Sequence, residues 1–345
     1  MRVSAALPPP LEKGDRVGVA ALSGPVDETR LAAGLQTLEA LGYRPVEAAN
    51  LRSRTGFLAG TDQERLAAFH ELASDPEVKA IFFARGGYGV PRILPEIDWE
   101  LLARFPRAYV GYSDLTPFLL GIVERLGLVS FHGPMVAADM AGGLSRIEAD
   151  SLQACLAGRF PQVLPLEGCE AGESTGGLLL GGCLSLLVSL LGTPYATDLN
   201  GSILFLEDVD EPPYRFDRML THLRLSGTLD SIEGLVVGHL SQRPRSVGLE
   251  KDLDDRGSGS QVDPAGSEGR VDARSKSRDK AEATSTLTAL HPLLVDLATS
   301  FRWSLAWGLE AGHNRPNRTL PLGCQARLEP SRKRLILAPE AGELR

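Results

Sequence analysis

Apolar and polar positions repeat at two different periods along the first half of the chain. Arg16 to Leu22 (RVGVAAL) is a near-continuous apolar run, the pattern of a strand buried on both faces. From Asp27 to Leu41 the period lengthens: Leu31, Leu35, Leu38 and Leu41 recur at helical spacing, and Gly42 stands at a helix-stop position. A second helix is predicted over Asp62 to Ser74. A second buried strand, Val78 to Ala84 (VKAIFFA), runs into Arg85-Gly86-Gly87-Tyr88-Gly89. A third, Ala108 to Gly111, runs into Tyr112-Ser113-Asp114, and a helix follows from Leu115 to Leu126. Buried strands alternating with amphipathic helices predict a parallel sheet covered on both faces, and such sheets bind ligands at the carboxyl ends of their strands. Two of those ends are the glycine cluster and Ser113.

A boundary is expected near Gly158 to Glu173, where Pro, Gly and Glu accumulate. The stretch from Ser174 to Thr197 then carries no charge. A membrane span needs about 20 mostly apolar residues, but Gly181-Gly182 and Gly192-Thr193-Pro194 interrupt this one, so it reads as a buried core helix over Cys183 to Leu191. A strand is predicted from Ser202 to Leu206 (SILFL), ending in Glu207-Asp208, then a helix from Tyr214 to Leu225 and a strand from Gly234 to Gly238. Residues 241–285 are rich in Gly, Ser, Asp, Arg and Lys, lack aromatic residues and show little periodicity, the composition of a disordered surface insertion. Helical spacing resumes from Leu287 to Leu297. No internal repeat is visible.

At 345 residues the chain exceeds the about 250–300 residues at which one hydrophobic core stops growing, so two domains are expected. The net charge of −8 argues against a general nucleic-acid binder, which needs a basic face to neutralise phosphates. Cys155, Cys169, Cys183 and Cys324 form no CxxC pair, so neither a zinc ribbon nor a disulfide scaffold is indicated. Reduced thiols and an N-terminus without a signal-type apolar region point to a cytoplasmic protein.

Ser113 is the first chemical candidate. A strand–Gly–Tyr–Ser–Asp–helix turn exposes a hydroxyl beside the amino end of a helix, where the N–H of Asp114 faces a developing negative charge. The second glycine of a GxSxG elbow is missing, since Leu115 stands there, and the local pattern alone favours a plain helix N-cap. The glycines after Arg85 let backbone approach a ligand closely but match neither GxGxxG nor a P-loop. A serine nucleophile needs a base, and the base an orienting acid. Of six histidines, His70 and His222 fall in predicted helices as surface or packing residues, whereas His132, His239 and His313 end apolar runs or sit in loops. Residue chemistry does not choose among those three. Glu207 ends an apolar strand and, if buried, requires a cationic or donor partner. No EF-hand spacing accompanies Asp208, Asp210 and Glu211, so no metal is expected.

In order along the chain, ARGGYGVPRILPEID, VGYSDLT, FHGPM, GGCLSLLVSLLGTPY, ILFLEDVDEPPYRFDRML and GHNRPNRTLPLG resemble the LD-carboxypeptidase family of serine peptidases. This family includes the muramoyltetrapeptide carboxypeptidase type and is related to the microcin-C immunity peptidases. The resemblance spans about Val17 to Leu328, apart from the insertion, and displaces the local N-cap reading of Ser113. It implies an α/β fold: a Rossmann-like N-terminal domain (1–160) carrying the nucleophile and a smaller β-rich C-terminal domain (174–345) carrying the acid and base. It implies Ser113 as nucleophile, His313 as general base, Glu207 as orienting acid, and the N–H groups of Gly87 and Asp114 as oxyanion hole. It further implies a homodimer without metal or cofactor that releases a terminal D-amino acid, D-Ala, from murein tetrapeptides by cutting an L,D-amide.

Two departures stand out. Cys183 replaces an Asn common in relatives, and the charged insertion follows Gly238. Immunity-type relatives stack a nucleoside on a loop tryptophan. Trp99, Trp303 and Trp307 all lie outside the segment from Gly158 to Cys183, which favours the murein peptide over an aminoacyl-nucleotide conjugate. A third reading, a two-domain binding protein without chemistry, is disfavoured by the complete Ser, Glu and His set.

Overall fold

The structure is a computed structural model that describes residues 4–170, 172–241 and 273–337, with backbone alone for residues 241 and 273–285. The first half runs β1 (Arg16–Ala20), α1 (Glu28–Ala40), β2 (Arg44–Glu47), α2 (Asp62–Ser74), β3 (Val78–Phe83), α3 (Val90–Ile93), α4 (Trp99–Arg104), β4 (Ala108–Gly111), α5 (Thr116–Leu126), β5 (Ser130–His132) and α6 (Arg146–Leu156). The second half runs β6 (Gln162–Pro165), β7 (Gly168–Glu170), β8 (Thr175–Cys183), α7 (Leu184–Ser189), β9 (Ser202–Val209), α8 (Pro213–Leu225), β10 (Gly234–Ser241), α9 (Ala273–Phe301), β11 (Ser304–Trp307), β12 (Leu320–Leu322), β13 (Gln325–Glu329) and β14 (Arg334–Leu337).

The described strands form two sheets. The first has six strands in the order β12-β5-β4-β3-β1-β2, parallel except for β12. The second has eight in the order β6-β14-β13-β8-β9-β10-β11-β7, with a parallel centre β8-β9-β10-β11 flanked by antiparallel pairs. The parallel-sheet and β-rich halves expected from the sequence are both present.

Local chemistry accounts for the elements that frame the site. Helix α2 starts at a capping box, in which Thr61 accepts from Glu64 N–H and Glu64 reaches back to Thr61 N–H. Helix α5 buries Phe118 and Leu119 completely, and the Phe118 ring meets Phe69, Phe83 and Tyr109 edge-on at 5.4 Å. Truncating so buried a phenylalanine costs about 3–5 kcal/mol, so this cluster anchors the helix that follows Ser113. In β8 the backbone is pressed onto β9: a Cβ at Gly181, whose φ is +131°, would lie 1.9 Å from the Phe205 carbonyl oxygen.

Two sequence expectations are revised, and a third, the helix over Cys183 to Leu191, is found with a strand before it. Strand β9 continues through Glu207 to Val209, because Asp208 accepts hydrogen bonds from Ser185 N–H and Val209 N–H and the pairing with β10 extends past it. The uncharged stretch opens with strand β8, which the sequence did not indicate, and the helix expected over Cys183 to Leu191 follows it as α7, Leu184–Ser189. Of the disordered insertion expected over 241–285, residues 242–272 lie outside the described residues, whereas 273–285 form the opening of α9. That stretch contains Ala, Arg, Lys and Glu but no Gly or Pro, so helix propensity is favourable, and it leads directly into the apolar face of Leu290, Leu294 and Leu297. No described helix is long and apolar enough to cross a membrane.

Candidate active site

Ser113 follows the end of β4 on a strained turn: its φ is +63°, a left-handed conformation costly for a residue with a Cβ. Gly111 permits the turn, since a Cβ there would lie 2.9 Å from the Phe83 ring and 3.2 Å from Leu115 Cγ. A single 3-10 turn, Ser113–Leu115, separates the serine from α5. The sequence lacks the second elbow glycine, and the structure shows the strain concentrated on Ser113 itself.

The loop after β3 lies beside this turn. A Cβ on Gly86 would sit 3.0 Å from Ser113 Cβ and 3.1 Å from its Oγ, so only glycine leaves the hydroxyl clear. Gly87 and Gly89 have φ of +122° and +134°, which explains the glycine cluster without a phosphate ligand. The Asp114 side chain, which sequence reasoning assigned no part, fastens this loop. It accepts from Ser23 Oγ at 2.6 Å and from Val90 N–H at 2.9 Å while almost fully buried. Burial pushes its carboxyl above the usual range, against the hydrogen bonds from Ser23, Val90 and Gly89. The Gly24 N–H donates to Gly86 O at 3.2 Å, closing the loop on its other side.

The third wall is the loop between β11 and β12. Gly312 has φ of +118°, and a Cβ there would lie 2.7 Å from Glu207 Oε2, so the loop passes directly over the carboxylate. Gly312 N–H donates to Asn317 Oδ1 at 3.0 Å, and Asn317 N–H donates to Glu148 Oε1 at 3.0 Å. Arg315 adds a pair of bonds to Glu148, Nε–Oε1 at 3.0 Å and Nη2–Oε2 at 2.6 Å. Burial disfavours charge on Glu148, but Arg315 and the amides outweigh it and hold this carboxyl below its ordinary value. Helix α6 therefore fixes the loop that carries His313.

These walls bring the predicted residues together. His313 Nε2 lies 2.9 Å from Ser113 Oγ, and His313 Nδ1 lies 2.6 Å from Glu207 Oε2. The Glu207 side chain is wholly buried and that of His313 is 3% exposed. Burial alone would raise the Glu207 carboxyl, but the neighbouring histidines, His313 foremost, hold it below its ordinary value and therefore ionised. The other two histidine candidates also gather around Glu207, but among the three the hydrogen bond to Ser113 belongs to His313. Burial pushes His132 down to about 4, so it is neutral. His70 instead accepts from Asp98 N–H at 3.1 Å, a packing role.

Cys183 ends β8 opposite Glu207 in register, but its thiol turns to Ser185 Oγ at 3.2 Å and Asp208 Oδ1 at 3.5 Å. Its backbone N–H donates to Thr116 Oγ1 at 3.2 Å, joining the second sheet to the first turn of α5. Among the described residues no group of three His, Cys, Asp or Glu side chains is arranged to hold a metal ion. Tyr112 is a further participant missed in the sequence: its ring meets His313 at 4.9 Å and His132 at 5.3 Å, and its hydroxyl bonds Asp139 at 3.1 Å. The only sequence signal for it was its place beside Ser113.

Fold and geometry together define a two-sheet α/β protein with a buried carboxylate–histidine–serine relay at the carboxyl ends of β4 and β9. The sequence model of the LD-carboxypeptidase N-terminal domain matches residues 17–133, and that of the LD-carboxypeptidase C-terminal domain matches residues 176–258. A probable murein peptide carboxypeptidase of Bacillus subtilis is 40% identical over 260 residues, 72% of this chain and 81% of that protein. The crystal structure of a muramoyltetrapeptide carboxypeptidase from Oxalobacter formigenes superposes with a TM-score of 0.72 at 28% identity, covering 93% of this chain and 97% of the other. The microcin C7 self-immunity protein of Escherichia coli is 26% identical over 264 residues, 66% of this chain and 76% of its own. The chain belongs to the LD-carboxypeptidase family and is a serine-type carboxypeptidase.

Proposed function

We propose that the chain releases a terminal D-amino acid, D-Ala, from murein tetrapeptides in the cytoplasm during peptidoglycan recycling, with Ser113, His313 and Glu207 as its catalytic triad. The observation that carries this reading is the continuous relay, 2.9 Å from serine to imidazole and 2.6 Å from imidazole to a buried carboxylate. Ser113 Oγ attacks the scissile carbonyl carbon while His313 Nε2 takes its proton. The proton passes to the leaving amine of the D-amino acid, and a water repeats the sequence on the acyl-serine. Glu207 holds the ring in the tautomer with Nδ1–H and stabilises the imidazolium. The N–H groups of Gly87 and Asp114 serve as the oxyanion hole, a function worth about 2.7–4 kcal/mol per donor in a serine hydrolase.

A non-catalytic binding protein has no need of a strained serine on a buried relay. The names of the relatives from B. subtilis and O. formigenes support a murein peptide as substrate. The three tryptophans pack on Phe118, Phe301 and His291, consistent with that choice over a stacked nucleoside. The division into an N-terminal domain, 1–160, and a C-terminal domain, 174–345, is part of this proposal, as is a homodimer requiring no metal or cofactor. Mass spectrometry of products from an L,D-tetrapeptide tests it: the wild type should release D-Ala and Ser113→Ala should not. Equal release by both would refute the assignment of Ser113.

A further inference from the structure

Four buried polar atoms near Glu207 have no hydrogen-bond partner among the described residues: Glu207 Oε1, His132 Nδ1 and Nε2, and His239 Nδ1. Their surroundings gather them around Glu207, on which both histidines act. Glu207 and Phe205 stand two apart on β9 and so share a face of the sheet. The His132 ring meets Phe205 edge-on at 5.1 Å. His239 lies on β10 next to β9, at the register irregularity between Val237 and Leu240, whose partners Leu206 and Asp208 bracket Glu207. The charged and titratable groups acting on His132 are Glu207, His313 and His239, and the Tyr112 ring touches both His132 and His313.

Each unpartnered atom is costly by itself. A buried donor without an acceptor costs about 1–3 kcal/mol, and a charged group more. A neutral imidazole always offers one N–H and one lone pair. The Asn314 backbone hydrogen-bonds His239. With Nδ1 unpartnered, Nε2–H is assigned as the donor to Asn314 and Nδ1 as an acceptor. The unpartnered atoms are thus three acceptors, Glu207 Oε1, His239 Nδ1 and one ring nitrogen of His132, and one donor, the other ring N–H of His132. A buried water typically satisfies about three such groups, and two donations and one acceptance match its capacity.

We propose that one buried water joins the three, donating to Glu207 Oε1 and His239 Nδ1 and accepting from His132, so that His132 is a positioning residue for the catalytic acid. This rests on the triad proposed above. It fixes the rotation of the carboxylate by its second oxygen, leaving Oε2 aimed at His313 Nδ1. His132 never changes charge in turnover.

A crystal structure of the wild type, with kinetics of His132→Phe and His132→Asn on the L,D-tetrapeptide, tests the proposal. Density for a water within hydrogen-bond distance of Glu207 Oε1, a ring nitrogen of His132 and His239 Nδ1 is expected. His132→Phe, which deletes the donor to the water, should lower kcat about tenfold, the loss of one buried hydrogen bond from the network that holds the carboxylate, with KM unchanged. The limb on which activity falls with falling pH should move to higher pH, because a less solvated carboxylate binds the imidazolium more strongly. His132→Asn, which restores a donor, should recover most of the rate. Absence of that water, unchanged kcat and pH profile in His132→Phe, or equal losses in both variants would overturn the proposal. Should His132→Phe fail to fold, the wild-type density and His132→Asn decide. A wild type that releases no D-Ala would refute the substrate reading, while the density still decides the water.

Discussion

Replacing Gly86 with alanine should slow turnover sharply while leaving the fold standing. The added methyl would lie 3.0 Å from Ser113 Cβ and 3.1 Å from Ser113 Oγ, some tenths of an ångström inside ordinary contact, and 3.6 Å from the Asp114 nitrogen. Ser113 has little freedom to retreat, since its φ is already +63° and its hydroxyl lies 2.9 Å from His313 Nε2. The methyl also occupies the space before the hydroxyl into which a scissile carbonyl must come. Misplacing reacting groups by about 1 Å costs about 10²-fold, so a shift of some tenths of an ångström together with the blocked approach should lower kcat by about 10–10²-fold. The stability change should be small. Overpacking costs about 1–3 kcal/mol, but Gly86 is not in the left-handed region, and losing a glycine from the unfolded chain recovers about 0.4–1 kcal/mol. D-Ala release measured beside the melting temperature separates the effects. A folded Gly86→Ala enzyme with kcat within twofold of wild type would refute the placement of the glycine loop against the nucleophile.

Four further outcomes are expected. Ser113→Gly should abolish activity yet raise stability by about 0.5–1 kcal/mol in urea unfolding, because glycine relieves the positive φ; a destabilised variant would contradict the strain argument. Glu207→Gln should bind substrate normally but lose about 10²–10⁴-fold in kcat, since an amide cannot stabilise the imidazolium; wild-type kcat would remove Glu207 from the relay. The folded pKa of His132, about 4, lies below its ordinary 6.5, so its stabilising contribution is complete above 6.5 and lost as pH falls toward 4. Unfolding free energy should drop by about 2 kcal/mol between pH 7 and 5, and His132→Asn should flatten that slope; identical slopes would show that other groups govern it. Burial holds the Cys155 thiol up to about 12 and that of Cys183 well above its ordinary value, so iodoacetamide at neutral pH should leave activity intact; rapid inactivation would mean a thiol takes part.

The first sheet was readable because its signals are local. The predicted helix over Asp62 to Ser74 and strand over Ala108 to Gly111 coincide with the observed elements, as continuous apolar strands and a capping box leave little ambiguity. The second half was less readable. The run from Thr175 to Cys183 is apolar at every period, so nothing in it distinguishes strand from helix, and only its pairing with β9 and β13 decides. Composition marked 273–285 as disordered, although helix propensity and continuity with Leu287 to Leu297 favoured helix. For the site, Ser113, Glu207 and His313 followed from the resemblance, while local chemistry left three histidines open. Reach decides among them, because the loop that Glu148 fastens places His313 against Ser113. Asp114 was assigned only a backbone role because nothing local shows that its side chain will meet Ser23 and Val90.

The strand β12 constrains how this enzyme can be rebuilt by recombination. After β11 in the second sheet the chain crosses over, carries His313 on the way, and inserts Leu320–Leu322 antiparallel to β5 of the first sheet before returning to the second as β13. Exchanging the C-terminal halves of two relatives therefore also exchanges an edge strand of the N-terminal sheet. A chimera would have to match a foreign Leu320–Leu322 to the native β5 and a foreign Arg315 to the native Glu148. An N-terminal fragment expressed alone would leave β5 as an open edge, a template for intermolecular pairing. Breakpoints that move α6 together with the stretch from Gly308 to Leu322, rather than those at the junction between sheets, should yield soluble and active hybrids.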